Sequence, residues 1–212
     1  MKQLLIATIA AVLLVGCATT QSQEKTPKAE PPSISIHKAA SIGDIEAVRQ
    51  HLAAGTDPNL KSPVVNSPLL FAVGYEIMTL LVENGADVND IGWGMTALHR
   101  LTDPESVMYL VDKVADVNAI DKLGDTPLHK VVEGFVYRRK KSVEILIAAG
   151  AEVNAINFDG LTPLDSLLSK SHYTKSNKVK HEFVGLLRKH GAKTSLELRP
   201  LDKKEDDENN SG

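Results

Sequence analysis

The phrase Asp125-Thr126-Pro127-Leu128-His129 writes out the start of an α-helix, and it recurs along the chain at a spacing that dictates the fold. A Thr at the N-cap can accept from an amide the helix leaves unpaired, and a Pro at the first helical position has no amide hydrogen to lose. His129 stands where a side chain reaches back to the cap, so imidazole takes the place usually held by Glu or Gln in a capping box. Leu128 is left for the core. The phrase returns as Ser67-Pro68-Leu69-Leu70, Thr96-Ala97-Leu98-His99 and Thr162-Pro163-Leu164-Asp165, with a worn copy at Ser35-Ile36-His37. A second phrase closes each unit: Gly55-Thr56-Asp57-Pro58-Asn59, Gly85-Ala86-Asp87-Val88-Asn89, Val114-Ala115-Asp116-Val117-Asn118, Gly150-Ala151-Glu152-Val153-Asn154 and Gly191-Ala192-Lys193-Thr194-Ser195. Gly just past a helix end takes the left-handed conformation that lets the last carbonyls find partners. Val48, Met78, Val107, Val143 and Val184 each stand seven residues before that closing position, so five units repeat in register.

In these two phrases the chain resembles the ankyrin repeat family, whose unit of about 33 residues carries T-P-L-H at its first helix and G-A-D-V-N after its second. The resemblance covers residues 34–195. It implies an all-α solenoid of about five repeats, each a helix-turn-helix followed by a β-hairpin finger. The copies depart from the pattern in places. Closing positions are spaced 30, 29, 36 and 41 residues apart, so the second and third repeats are trimmed and the last two carry insertions between their helices. Val114 stands where Gly is expected, which predicts a different helix end in the third repeat. Asp165 stands where His is expected. His51 and Arg188 replace core aliphatic residues in the terminal repeats, as capping repeats with a wet outer face would require.

Residues 1–16 form a separate segment: Lys2, then a run of twelve mostly apolar residues from Leu4 to Val15. That length is too short to cross about 30 Å of hydrocarbon but fits the apolar part of a signal peptide. Leu14-Val15-Gly16-Cys17 resembles a bacterial lipobox, which implies cleavage before Cys17, diacylglycerol on its sulfur and a fatty acyl group on its new amino terminus; the alternative is an ordinary secretory signal. Cys17 is the only cysteine, and lipid would consume its thiol. Several acyl chains make a stable anchor where one is marginal. Ala18 next to it resembles lipoproteins sent to the outer membrane, with the repeats facing the periplasm. Residues 17–33 lack large apolar side chains and read as the lipidated Cys and a flexible tether, roughly 20–25 Å in reach. Residues 196–212 read as an acidic disordered tail.

Seven histidines invite a metal reading, but His37, His99 and His129 belong to the helix-start phrase, and His51, His172, His181 and His190 lack ligand spacing. No phosphate-cradling glycine loop or nucleophile elbow is present. No catalytic residue, metal, cofactor or small-molecule substrate is therefore expected. A net charge of −3 implies no bulk electrostatic partner, and nucleic acid is not expected in the periplasm. Two basic stretches, Arg138, Arg139, Lys140 and Lys141 in one inter-helix insertion and Lys175, Lys178 and Lys180 in the next, form either one positive edge or two separately solvated loops.

The finger segments hold the residues expected to bind. Ile91, Trp93 and Met95, then Ile120 and Leu123, then Ile156, Phe158 and Leu161 place apolar side chains on three neighbouring fingers, where the family usually carries polar ones. Exposed, such a row exceeds what a monomer leaves to water; otherwise the fingers pack on one another. Trp93 is the only tryptophan, the type most enriched at binding hot spots. The expected function is a lipid-anchored protein that holds a protein partner on its concave finger face as scaffold or protector. The alternatives are an immunity protein that neutralises a delivered toxin such as a lipase and, remotely, an envelope hydrolase.

Overall fold

The structure is a computed structural model that describes residues 30–63, 66–133, 139–169 and 177–199. The expectations placed on the signal peptide, on Cys17 and most of the tether, on Arg138, on Lys175 and on the tail from Pro200 lie outside the described residues.

Helices come in consecutive pairs. α1 (Ile36–Ile42) and α2 (Ile45–Ala53) make the first. A 3-10 turn (Pro68–Phe71) and α3 (Tyr75–Glu83) make the second, and α4 (Ala97–Arg100) with α5 (Pro104–Asp112) the third. α6 (Pro127–Glu133) pairs with α7 (Arg139–Ala148), and α8 (Pro163–Ser169) with α9 (Asn177–Lys189). First helices stack in one row, α4 on α6 and α6 on α8, and second helices in another, α2 on α3, α3 on α5 and α5 on α7. The trimmed spacings of 30 and 29 residues are absorbed in the first row: the 3-10 turn and α4 have four residues each where α1, α6 and α8 have seven. A loss of three or four residues is one helical turn, which shortens a helix without rotating its buried face.

The core runs unbroken through the stack. Val48, Met78, Val107 and Val143 are fully buried, as are Leu81, Leu110 and Leu146 one turn later in the second helices. Each such side chain contributes roughly 1.5–3 kcal/mol over its exposed state. In the last pair Phe183 and Leu187 carry the core and Val184 is half-buried. His51 is not on a wet face: it is buried, its ring nitrogens 2.6 Å from the Ile34 carbonyl and 3.2 Å from the Thr56 hydroxyl, which satisfies both.

Two polar ladders fix the repeat-to-repeat register. Asn59, Asn89, Asn118 and Asn154 each accept from an amide of the next closing turn (Asp87, Asp116, Glu152, Lys193) at 2.7–2.8 Å and donate to a carbonyl two residues before it (Gly85, Val114, Gly150, Gly191). The second ladder is built on the helix caps. The Thr96 amide donates to Nδ1 of His99 at 3.1 Å, and Nε2 of His99 then donates to the Asp125 carbonyl at 2.9 Å. The Thr126 amide, the other half of that peptide group, donates to Nδ1 of His129 at 3.1 Å, and Nε2 of His129 donates to the Leu161 carbonyl at 3.2 Å. The Thr162 amide donates to Oδ2 of Asp165 at 3.0 Å, which also accepts from Ser195 at 2.7 Å. Because Nδ1 accepts, the proton of each imidazole sits on Nε2. Burial lowers the pKa of both rings, and the hydrogen bonds to carbonyls offset this only in part. His37 takes no part: one position too early for the cap, it reaches the Leu60 carbonyl at 2.7 Å instead.

Three further expectations are corrected by the turns and the C-terminal segment. Val114 ends its helix as the glycines do, with φ 63° against 94° at Gly85 and 92° at Gly150, and with the same amide bonds, to Val111 from its own nitrogen and to Leu110 from Ala115. The turn's geometry is fixed by its neighbours, so the β-branched side chain is carried in a left-handed conformation it disfavours. The fingers are turns rather than β-hairpins; among the described residues the one β contact is the bridge between Gly92 and Met95. Residues 196–198, assigned to the disordered tail, belong to α10 (Ser195–Leu198), which is capped reciprocally by Thr194 and Glu197. Glu197 is held there by both guanidinium nitrogens of Arg188, at 2.6 and 3.0 Å, which pulls its pKa down to about 2.

Candidate functional site

Three fingers stand side by side between the second and fifth repeats: residues 89–95, 118–125 and 154–161. Asp121 and Asn157 close their turns with a local network. Oδ1 of Asp121 accepts from Leu123 and Asp125, and Oδ1 of Asn157 from Asp159 and Leu161. Each finger then bonds to its neighbour through the backbone, Lys122 to the Gly94 carbonyl at 2.9 Å and Phe158 to the Leu123 carbonyl at 3.0 Å. Side chains follow the backbone across. A Cβ on Gly124 would lie 2.8 Å from the Phe158 ring, and one on Gly94 would lie 3.0 Å from the Lys122 stem. Both glycines also have positive φ, so each is required twice over.

The first of these fingers is one residue shorter than the others, and this decides how Trp93 is presented. Gly92 and Met95 bond to each other in both directions, leaving Trp93 and Gly94 as a two-residue turn with φ 52° and 73°. Two successive positive values define a type I′ turn, which favours Asn-Gly and strains a bulky side chain. Trp93 is steadied by contact: its ring meets Phe71 edge to face at 4.9 Å, and the Arg100 guanidinium lies 5.3 Å from its centre. Phe71 in turn meets His37 at 5.5 Å, and Arg100 donates to the Leu70 carbonyl.

Beneath the second finger lies a buried ion cluster. Lys130 of α6 sits 2.8 Å from Asp121 and 2.5 Å from Asp125, and Asp125 also accepts from Asn157 of the next finger at 2.6 Å. Burial alone would raise the Asp121 pKa, but Lys130 and two amides outweigh it and the net shift is downward; the same bonds raise Lys130 against its own burial. The cluster ties the second and third fingers together.

Of the residues expected to bind, Ile91, Trp93, Ile120, Leu123, Ile156 and Phe158 are exposed, Phe158 by 72% and Trp93 by 42%. Met95 and Leu161 are half-buried. The basic stretches stand differently from the loops expected of them. Arg139, Lys140 and Lys141 form the first turn of α7, with Lys141 3.6 Å from Glu144, and Lys178 and Lys180 lie in the first turns of α9. α7 packs on α5 and α6, and α9 on α8. Among the described residues no group of three or more His, Cys, Asp or Glu could hold a metal ion, and no helix is long and apolar enough to cross a membrane. Phe71, Arg100 and Lys122 complete the surface around Trp93 and escape a sequence reading that looks only for apolar runs. Aligning the fingers on their opening Asn places Lys122 in the same position as Trp93 and Phe158, and that signal finds it.

The stacked pairs, closing turns and fingers agree with the comparisons to known proteins. A family model described as Ankyrin repeats (3 copies) matches residues 36–121 and 75–159, together more than half of the chain. An ankyrin repeat protein of fowlpox virus (strain NVSL) is 32% identical over 101 residues, which are 46% of this chain and 15% of that relative. This chain belongs to the ankyrin repeat family, whose repeats serve protein–protein interaction.

Proposed function

We propose that the protein docks a protein partner on the row of fingers, as scaffold or protector, while a lipid on Cys17 holds it to the outer membrane of a bacterial envelope with its repeats in the periplasm. The observation that carries the docking is the exposure of six large apolar side chains on three joined fingers: Ile91, Trp93, Ile120, Leu123, Ile156 and Phe158. Turns accept polar residues, so folding does not require these, and apolar groups held in water favour a surface that is covered in use. The anchor rests on Leu14-Val15-Gly16-Cys17.

Affinity capture from solubilised envelopes identifies the partner, and Phe158→Ala then tests the site. With its ring mostly in water, Phe158 should cost 2 kcal/mol or more of affinity, about thirtyfold, with the urea midpoint nearly unchanged. A variant that destabilises the fold yet binds normally once folded places the contact elsewhere. For the anchor, Cys17→Ser should abolish incorporation of a radiolabelled fatty acid, and a wild-type protein that takes up no label removes the lipid from the reading.

A further inference from the structure

Counted from the Asn that opens each finger, Trp93, Lys122 and Phe158 hold the same position, so the row reads aromatic, cation, aromatic. Lys122 lies with its stem along Gly94, beside Trp93, and is exposed. Arg100 covers the Trp93 ring, bonded only to the neutral Leu70 carbonyl. Among the described residues neither cation pairs with a carboxylate, whereas three acids of the same fingers pair with other lysines: Asp90 with Lys61, and Asp121 and Asp125 with Lys130. The exposed acid of the row, Asp159, stands next to Phe158 at the opposite end. The surface is therefore polar in the directional sense, with one cation over the indole and a second along the glycine that follows it at one end, and a bare ring beside a carboxylate at the other.

We propose that the occupant of the finger row is an extended acidic segment of a partner protein, with a carboxylate between Arg100 and Lys122 against the Trp93 ring and an apolar side chain on Phe158. The inference rests on the docking reading above and adds the chemistry and direction of what docks. A basic segment meets like charge at Trp93. A neutral one covers two cations without pairing them, and an unpaired charge under an interface is costly. An acidic one gains a carboxylate partner for each and is steered in from solution. Asp159 sets the direction, because the segment's acid is repelled from the Phe158 end.

The test uses the full chain and a phage-displayed library of random dodecapeptides. Selected peptides should carry Asp or Glu flanked by apolar residues, and should lose at least tenfold in affinity with Arg100→Gln or Lys122→Gln and with Phe158→Ala. Asp159→Asn should leave them unchanged or tighter. Lys122→Gln alters only an exposed side-chain end, so it keeps the test valid if Arg100→Gln misfolds. Peptides that are basic or uncharged, or that ignore both charge variants while losing affinity with Phe158→Ala, overturn the acidic segment and leave the docking face standing. Peptides that ignore Phe158→Ala as well overturn both. A library that yields nothing overturns the extended segment in favour of a folded partner. Lys122-dependent dimerisation in sedimentation, or Lys122-dependent binding to phosphatidylglycerol vesicles, overturns it in favour of a second copy or a lipid surface.

Discussion

The foot of each finger and its tip both recur along the stack, yet they are held in opposite ways. At the foot the residue is Asn every time, and each of Asn59, Asn89, Asn118 and Asn154 uses both halves of its amide on the backbone of the next repeat. At the tip the residues are Trp93, Lys122 and Phe158, with Lys122 and Phe158 each resting on a glycine of the preceding finger. A position that must both donate and accept at fixed points tolerates one side chain. A position that needs only a flat neighbour tolerates many. The foot therefore sets register and the tip is free to carry recognition, so stability and binding should separate when the two regions are changed independently.

The largest effect should come from beneath the foot. Leu146→Ala, in the centre of the stack, removes a fully buried side chain and should cost roughly 2–5 kcal/mol in urea melts. If the loss is well under 2 kcal/mol, the stack is not the rigid base this contrast assumes. A smaller change of opposite sign is expected at the closing turn. Val114 is 81% exposed and held left-handed, so Val114→Gly should stabilise by about 1 kcal/mol: relief of about 1–2, partly offset by the freer glycine in the unfolded chain. A destabilised variant would show that the valine makes contacts outweighing its strain.

Acid should weaken the cap ladder before the tips. In the unfolded chain His99 and His129 titrate near 6.5, whereas burial keeps both below that in the fold. Their contribution is thus complete above about pH 6.5 and lost as pH falls towards the folded values, because the unfolded chain takes up protons the fold refuses. Asp121 and Asp165, held below 3.8 by hydrogen bonds that overcome burial, add a second loss at lower pH. His99→Gln with His129→Gln keeps a capping side chain that does not titrate, so the slope of stability between pH 7 and 5 should flatten. A slope that persists in the double variant would assign it to other groups.

What could be read from residues alone divides along the same line. Ser35, Thr96, Thr126 and Thr162 cap their helices because capping is local chemistry, written within four residues. The αL closing turns are equally local, and the misreading at Val114 came from treating side-chain preference as decisive where the turn's hydrogen bonds were. The ion cluster of Lys130, Asp121 and Asp125 was invisible because burial of a charge is created by stacking, which no local pattern records. The setting of Trp93 was missed for a related reason: its neighbours Phe71 and Arg100 come from two other segments, and the single missing finger residue that forces its type I′ turn shows only when the fingers are aligned.

The cap ladder also has a grammar. An imidazole that accepts from its own cap has one proton left, on Nε2, and that proton needs a carbonyl supplied by a following finger; buried without one, it would be an orphaned donor. Asp165, by contrast, has no proton to place, and it receives the Ser195 amide at the start of α10. In the third to fifth repeats the fourth letter of the helix-start phrase thus works as punctuation: histidine hands its proton to the following finger, and aspartate takes the amide of a helical turn. A finger added after the fifth repeat would present Asp165 with a carbonyl that a carboxylate cannot bond and a histidine could.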